Sequence, residues 1–481
     1  MNKHELFLIL PEIVIGSMAL VILLASAFLT KSKGMSTYYL SVLTLFATIG
    51  AILYIYNANN VTIFSGTFVI DGVANMLKLT LCGLALVVFI YARDYLQDKD
   101  LANGEYFTLS LFSILGGMVL SSSANFLTLY LGLELLALPI YALLAFYKAN
   151  SKCAEAAMKY FIMGAIGSGL LLYGISLLYG VTGTLEFGSI TSNLVIGAAT
   201  PKLALYFAMA FIIAGVSFKL GIVPFQMWVP DVYEGAITNL AAFIGTVTKV
   251  GAFALAYRVF ADVLLRLNFE WQSLLLLLGI ASVALGSIVG IVQNNLKRML
   301  AYSTIAHFGF VILGFSVVAQ AGFLTVTFYT LAYVIMLLGA FGVILALSYK
   351  GAEIELIKDF RGLAFNSPWL ATLMAVFMLS MAGIPPTVGF YAKFLVIKDL
   401  LTAGHTEIAV AALLCSVMAA FYYLRVIKVM FFLKPQEITV NYGEILSNWP
   451  GNMLLSANGG MILGLGMFPG PFIYLCEQAL K

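Results

Sequence analysis

The sequence predicts an all-α polytopic membrane protein of about fourteen transmembrane helices. The seventh and twelfth are expected to be broken, and spans 4–8 and 9–13 to form inverted five-helix repeats. Four observations lead there. Of 481 residues, 62% are hydrophobic and only 10% charged, where a soluble domain carries about 25% charged residues. Mean hydropathy is +1.02. Apolar runs recur at the roughly 20-residue length that a bilayer core requires. Two of those runs are interrupted by Gly and Pro beside a lysine, at Gly221/Pro224 and at Gly383/Pro385/Pro386. A net charge of +3 is too small to indicate a nucleic-acid partner.

Between polar breaks the fourteen runs cover 6–29, 38–56, 73–92, 106–123, 125–147, 156–180, 203–227, 236–260, 272–293, 299–318, 322–348, 368–400, 406–433 and 453–475. The first has Lys3 ahead of it and Ala25-Ser26-Ala27 near its end, as a signal peptide would. It is longer than the usual apolar region of such a peptide and thirteen spans follow, so it reads as a retained helix. The runs divide the chain into a three-helix segment (1–105), a first repeat (106–260), a second repeat (261–433) and a C-terminal helix (434–481).

Orientation follows the distribution of basic residues. Lys31, Lys33, Arg93, Lys99, Lys148, Lys152, Lys159, Lys297, Arg298, Lys350, Lys358, Arg361, Lys428 and Lys434 fall on one side, and Lys3, Lys202, Arg258, Arg266, Lys398 and Lys481 on the other. Both termini are therefore expected on the periplasmic side of a bacterial inner membrane. Cys82, Cys153, Cys415 and Cys476 show no metal-ligand spacing, and His4, His307 and His405 are scattered. Neither GxGxxG nor a Walker sequence occurs, so the chain offers no obvious redox or nucleotide site of its own.

Five bases remain inside spans: Lys78, Lys219, Lys249, Lys393 and Arg425. A charge at the bilayer centre costs at least about 2.5–3.5 kcal/mol, so each needs a reason. Lys78 lies one or two turns inside its span and is expected to snorkel outward; Arg425 and Lys428, three apart near a helix end, likewise. Glu134 cannot: nine residues into the fifth span it is roughly 13 Å deep at 1.5 Å per residue. Pro139 follows and would loosen that helix. A protonated glutamate bonded to a carbonyl is the bland reading; an ion pair or proton site is favoured.

Lys219 stands beside the break at Gly221-Ile222-Val223-Pro224, Lys249 about thirteen residues into the eighth span, and Lys393 just after Gly383-Ile384-Pro385-Pro386. Helices broken at mid-depth survive only in protein or around a water-filled cavity. Burial lowers a lysine's pKa and a nearby carboxylate raises it, so a row of Glu and Lys at mid-depth suits proton movement. His307 lies within the tenth span among Tyr302, Ser303 and Thr304. It reads about equally as a bonded structural group or as a relay member, and the hydroxyls tilt the reading toward the relay.

Pro224-Phe225-Gln226-Met227-Trp228-Val229-Pro230-Asp231-Val232-Tyr233-Glu234-Gly235-Ala236 resembles the stretch after the broken seventh helix of the antiporter-like subunits of respiratory complex I. Asn295-Leu296-Lys297-Arg298-Met299-Leu300-Ala301-Tyr302-Ser303-Thr304-Ile305-Ala306-His307 resembles that family's ninth-to-tenth span segment. The similarity runs over nearly the whole chain. Within the family it is most similar to the subunit N branch, the bacterial counterpart of mitochondrial subunit 2. The L and M branches usually read Pro-Asp-Ala-His where this chain reads Pro230-Asp231-Val232-Tyr233, and the L branch carries a long lateral helix after its fourteenth span. Gln226 stands where a histidine is common, and Ile237-Thr238-Asn239 where Pro-Thr-Pro is usual.

The resemblance implies a proton-pumping subunit of an NADH–quinone oxidoreductase, a translocase. Glu134 would be the fifth-helix glutamate paired with Lys219, Lys249 the central lysine of the cytoplasmic half-channel, and Lys393 the base on the exit side. No cofactor is expected in this chain. NADH, FMN, iron–sulfur clusters and quinone would belong to partner subunits, and the partners would be the membrane and peripheral subunits of complex I together with lipid. The rival readings are a subunit of a multi-subunit cation/proton antiporter and a non-conducting scaffold.

Overall fold

A computed structural model describes residues 3–28, 34–56, 60–147, 150–196, 202–265, 268–317, 320–348, 353–435 and 449–480. Lys31, Lys33, Lys148, Arg266, Lys350 and Lys481, which enter the orientation argument, lie outside the described residues, as do residues 436–448 of the 434–481 segment.

The chain is almost entirely helical. In order run α1 (Lys3–Leu8), α2 (Leu10–Phe28), α3 (Gly34–Ile55), a hairpin of β1 (Val61–Ile63) and β2 (Phe68–Ile70), α4 (Gly72–Asp98), α5 (Gly104–Ser121), α6 (Phe126–Leu144), α7 (Ser151–Thr182) and α8 (Phe187–Ile196). Then come α9 (Lys202–Leu220), α10 (Trp228–Gly235), α11 (Thr238–Tyr257, extended by a π-helical turn over Arg258–Val263), α12 (Asn268–Ile291), α13 (Leu296–Ser316) and α14 (Gln320–Leu347). A 3₁₀ turn (Ile357–Phe360), α15 (Leu363–Asn366), α16 (Pro368–Ala382), α17 (Val388–Thr402), α18 (Thr406–Phe432), α19 (Trp449–Met467) and α20 (Gly470–Ala479) complete it.

Among the described residues, 12 helices are long and apolar enough to cross a membrane, or 13 if α19 and α20 form one span. Those two are bent by 89° at Phe468-Pro469, where the sequence predicts an uninterrupted run over 453–475. Pro469 and Pro471 lack the N–H groups that would carry the ladder through. The expected seventh span, 203–227, is helical only to Leu220, where α9 ends, and α10 begins just after it; the expected twelfth divides into the shorter α16 and α17.

α11 is the axis of the bundle. Apart from Thr238, Asn239, Thr246, Thr248 and Lys249 it is made of small and apolar residues, which suits a helix with no solvent face, and every residue from Thr238 to Tyr257 is buried. It packs on α4, α5, α6, α9, α10, α13 and α14. By contrast α2 and α3 turn Leu24 and Tyr54 outward, at 63% and 72% exposure. Glycines set the closest crossings. Gly116 of α5 faces the Leu135–Leu136 backbone of α6, and a Cβ at Gly174 of α7 would lie 2.7 Å from the Ile212 nitrogen of α9. Membrane helices pack by such small residues because lipid leaves no hydrophobic drive between them.

Two bases are buried in ion pairs that the sequence reading does not foresee. Arg258, assigned to the outer side, lies in the π-helical turn that extends α11 and is only 3% exposed. Its guanidinium reaches Asp71 (2.8 Å), Asp262 (3.0 Å) and the Ser121 carbonyl (2.7 Å). Asp71 also caps α4 by accepting from the Ala74 N–H at 2.7 Å. Burial alone would raise the Asp71 carboxyl, but the charge and hydrogen bonds of Arg258 outweigh it and hold it below the usual carboxylate value.

Lys78 does not snorkel: it is 0% exposed and pairs with Glu12 of α2 at 2.7 Å, its ammonium 5.1 Å from the Phe68 ring centroid. A local carboxylate on a neighbouring helix replaces the distant water. Removing one partner of a buried pair strands the other, at about 3–5 kcal/mol. Glu12→Ala or Lys78→Met alone should therefore lower the thermal stability of the detergent-solubilised protein, and Glu12→Leu/Lys78→Met should recover most of the loss. If the double variant is as unstable as the sum of the singles, the pair is not the cause.

Candidate functional site

The two helix breaks are built alike. Gly221 and Gly383 both adopt left-handed backbone, with φ of 74° and 86°. The Gly221 N–H donates to the Ser217 and Phe218 carbonyls and that of Ile222 to Ser217; the Gly383 N–H donates to Leu379 and Ser380 and that of Ile384 to Leu379. Each is a glycine-terminated helix C-terminus. Helix ends leave carbonyls without partners and a negative dipole end, and lysines meet both needs. Lys249 Nζ donates to the Leu220 carbonyl at 2.6 Å. Lys393 Nζ donates to the Met381 and Ala382 carbonyls at 2.9 Å each and to Ser416 Oγ at 3.0 Å. Leu220 and Ala382 are in each case the residue before the left-handed glycine, so two lysines from non-matching elements, α11 and α17, cap the same carbonyl of two matching breaks.

The three lysines differ in how their ammonium groups are held. Lys393 has three oxygens, one for each N–H. Lys249 has one oxygen and the faces of Trp228 and Phe308, at 4.9 and 5.1 Å from the ring centroids. Lys219, in the last turn of α9, is buried and its Nζ has no hydrogen-bond partner among the described residues.

Glu134 is half-buried on α6. It does not form the expected direct pair: no ion-pair contact joins it to Lys219, although its charge acts on that lysine. The space around Glu134 is aromatic. The Tyr141 ring meets that of Tyr160 edge-on at 4.7 Å, and Tyr160 stacks on Trp228 at 4.5 Å. The indole N–H of Trp228 donates to the Phe218 carbonyl at 2.9 Å, one residue from Lys219. Trp228 thus touches both sides of the first break.

His307 lies on α13 next to the residues that meet both capping lysines: Phe308 faces Lys249, and Phe310 faces Lys393 at 5.8 Å. Its Nδ1 is 2.8 Å from the Tyr329 hydroxyl and its Nε2 3.3 Å from that of Tyr423. Tyr423 also contacts Ser303 Oγ and accepts from the Tyr422 hydroxyl at 3.4 Å. A second hydroxyl set runs from Tyr333 to Thr304 (2.6 Å) to Tyr233 of α10 (3.5 Å), with the Tyr333 ring 4.9 Å from that of His307.

On one face the polar residues of both sequence motifs form an ion network. Lys159 pairs with Asp231 (2.8 Å) and Glu155 (2.7 Å), and Arg298 with Asp231 (2.9 Å) and Glu234 (2.8 Å), around a cleft beside Lys152. Lys297 is buried between the Ala236 carbonyl and Glu355. In the loop before the 3₁₀ turn, Glu353 pairs with Lys99 at 2.7 Å and accepts from Tyr95 and from Thr238. Burial pushes the Glu353 carboxyl up, and Lys99 with Tyr95 brings it net below the usual value.

Sequence reasoning singled out Glu134, Lys219, Lys249, His307 and Lys393 but not the aromatic groups that contact them or their neighbours, Trp228, Tyr233, Tyr329 and Tyr423. A tyrosine hydroxyl in mid-span must find a partner, and that signal was present in Phe421-Tyr422-Tyr423. The four cysteines are buried and unpaired, and among the described residues no three His, Cys, Asp or Glu converge as metal ligands would.

Residues 123–419 match the family model described as NADH:quinone oxidoreductase/Mrp antiporter, TM. The NADH-quinone oxidoreductase subunit N of Thioalkalivibrio sulfidiphilus is 45% identical over 475 residues, covering 98% of both chains. A chain of respiratory complex I from Thermus thermophilus superposes with a TM-score of 0.82 at 29% identity, over 96% of this chain and 98% of that one. A chain of the Mrp complex from Dietzia shares the fold, with a TM-score of 0.83 at 19% identity over 100% and 97%. The chain belongs to the NADH:quinone oxidoreductase/Mrp antiporter transmembrane family, in the branch of NADH-quinone oxidoreductase subunit N.

Proposed function

We propose that this chain is a proton-translocating membrane subunit of a bacterial NADH-quinone oxidoreductase in the inner membrane. It relays protons along Glu134, Lys219, Lys249, His307 and Lys393, while NADH oxidation and quinone reduction, with FMN and the iron–sulfur clusters, take place in partner subunits. One observation carries the reading: lysines cap equivalent carbonyls at two helix breaks, and the helix whose Phe308 and Phe310 meet those lysines carries a buried histidine bonded to tyrosine hydroxyls. None of the three lysines touches a carboxylate among the described residues, so neutralising a fixed buried acid is not their task. Counting α9 with α10, α16 with α17, and α19 with α20 as single spans gives fourteen. The matching breaks support repeats over 106–260 and 261–433, flanked by segments 1–105 and 434–481, with both termini periplasmic.

The test is access. In the assembled complex on a cysteine-free background, Thr246→Cys, one turn from Lys249, should react with an impermeant thiol reagent from the cytoplasmic face. Ser416→Cys, beside Lys393, should react from the periplasmic face. Labelling of both from one face would refute two opposed half-channels. The Mrp-like fold keeps an antiporter alternative: sodium transport that depends on this chain, in membranes with no NADH oxidation, would favour it.

A further inference from the structure

The search of the molecule beyond the lysine row ends at a cleft of about 580 Å³ lined by Asn294, Leu356, Ile357, Lys358, Arg361, Arg425, Val429 and Leu433. It lies where the end of α18 meets the 3₁₀ turn and the end of α12. Three of its walls are cationic and none is acidic. Among the described residues none of Lys358, Arg361 and Arg425 is ion-paired. The adjacent Asp359 is committed elsewhere, accepting from the Leu356 N–H at 3.0 Å. Arg425 is anchored by donating to the Ile291 and Gln293 carbonyls, and its Nε has no partner. The Arg361 Nε is fixed on the Lys434 carbonyl at 2.9 Å. The two arginines are thus held in place by backbone oxygens that carry no compensating charge, and Lys358 stands exposed beside them.

Apart from Asn294 the rest of the cleft is apolar, and Val292, Phe421 and Phe432 on the adjoining stretches of chain are 70%, 58% and 79% exposed, as residues facing lipid would be. A free anion would use only the basic rim, whereas an amphiphile uses both parts. The cleft lies on the side where basic residues predominate, and basic pockets between spans on that side suit anionic headgroups. The geometry points to a binding site for one anionic phospholipid, its phosphate between Lys358, Arg361 and Arg425 and its acyl chains along Val429 and Leu433. The site depends on membrane embedding and not on proton transfer, so it stands or falls apart from the relay.

The experiment uses the whole complex in its membrane and a photoreactive phosphatidylglycerol with a diazirine in the acyl chain, followed by peptide mapping. Labelling should concentrate in 425–433. Lys358→Gln with Arg361→Gln should lower it on the order of thirtyfold, at about 1 kcal/mol per surface cation, with labelling of α2 unchanged; Lys358→Arg with Arg361→Lys should preserve it. The phosphatidylcholine analogue should label 425–433 no more than α2. Equal labelling by both lipids, or insensitivity to the Gln pair, would overturn the site. Loss on adding millimolar inorganic phosphate would assign it to a free anion instead. Absence of label in the assembled wild type would mean that a neighbouring subunit fills the cleft, which also overturns the proposal.

Discussion

Lys393→Arg is expected to abolish NADH-driven proton uptake through this subunit while the complex still assembles. The native ammonium meets three oxygens, the Met381 and Ala382 carbonyls and Ser416 Oγ, at 2.9, 2.9 and 3.0 Å. Those contacts satisfy a compact three-donor group. Arginine keeps the positive charge, so the helix end remains capped, but it stays protonated in proteins and its planar fork cannot reproduce the three-way geometry. A residue that merely compensates a helix dipole would tolerate the change; one that must give up its proton would not. Vesicles reconstituted with the purified complex and a pH-sensitive dye separate the two. Normal acidification with Lys393→Arg would reduce this lysine to a structural cap. The same substitution at Lys249 offers a useful comparison, because that lysine has one oxygen and two aromatic faces in place of three oxygens.

Glu134→Gln should also impair pumping severely, and its effect should not add to that of Lys219→Met. Lys219 is buried without a hydrogen-bond partner, and Glu134, though not in contact, is the carboxylate whose charge acts on it. A lysine stranded in its charged form would cost about 3–5 kcal/mol, so with the carboxylate gone it should release its proton and cease to load. If the two groups act as one unit, either change removes the whole function, and the double variant pumps like the singles. Multiplying losses would show that they work independently. Wild-type pumping by assembled Glu134→Gln would remove the glutamate from the relay.

The parts of this site that were legible in the sequence were those where local chemistry conflicts with lipid. Gly221/Pro224 and Gly383/Pro385 announce breaks because no continuous helix tolerates them easily, and a lysine in an apolar run needs a reason. Partner choice was not legible. Lys78 reads as a snorkelling base because nothing near it in sequence shows that Glu12, on another helix, will lie 2.7 Å away. Arg258 likewise looks like an outer-side charge until Asp71 is brought to it. The hydroxyls around His307 come from α13, α14 and α18, and tyrosine is common enough in membrane helices that only the packing selects Tyr329 and Tyr423. The bend at Phe468-Pro469 was read through because the apolar run continues across it.

The lysine cap at Gly383 ties charge to the direction of a hydrogen bond. A protonated Lys393 offers three N–H groups to three oxygens and leaves nothing for water to do. Its neutral form has two N–H groups and a lone pair. The two carbonyls can keep a donor each only if the Ser416 hydroxyl turns from acceptor to donor and points at that lone pair, since a buried carbonyl without a donor costs about 1–3 kcal/mol. The break at Gly383 thus contains one bond, Lys393 to Ser416, whose direction must reverse with the charge of the lysine, while the bonds to Met381 and Ala382 can stay as they are.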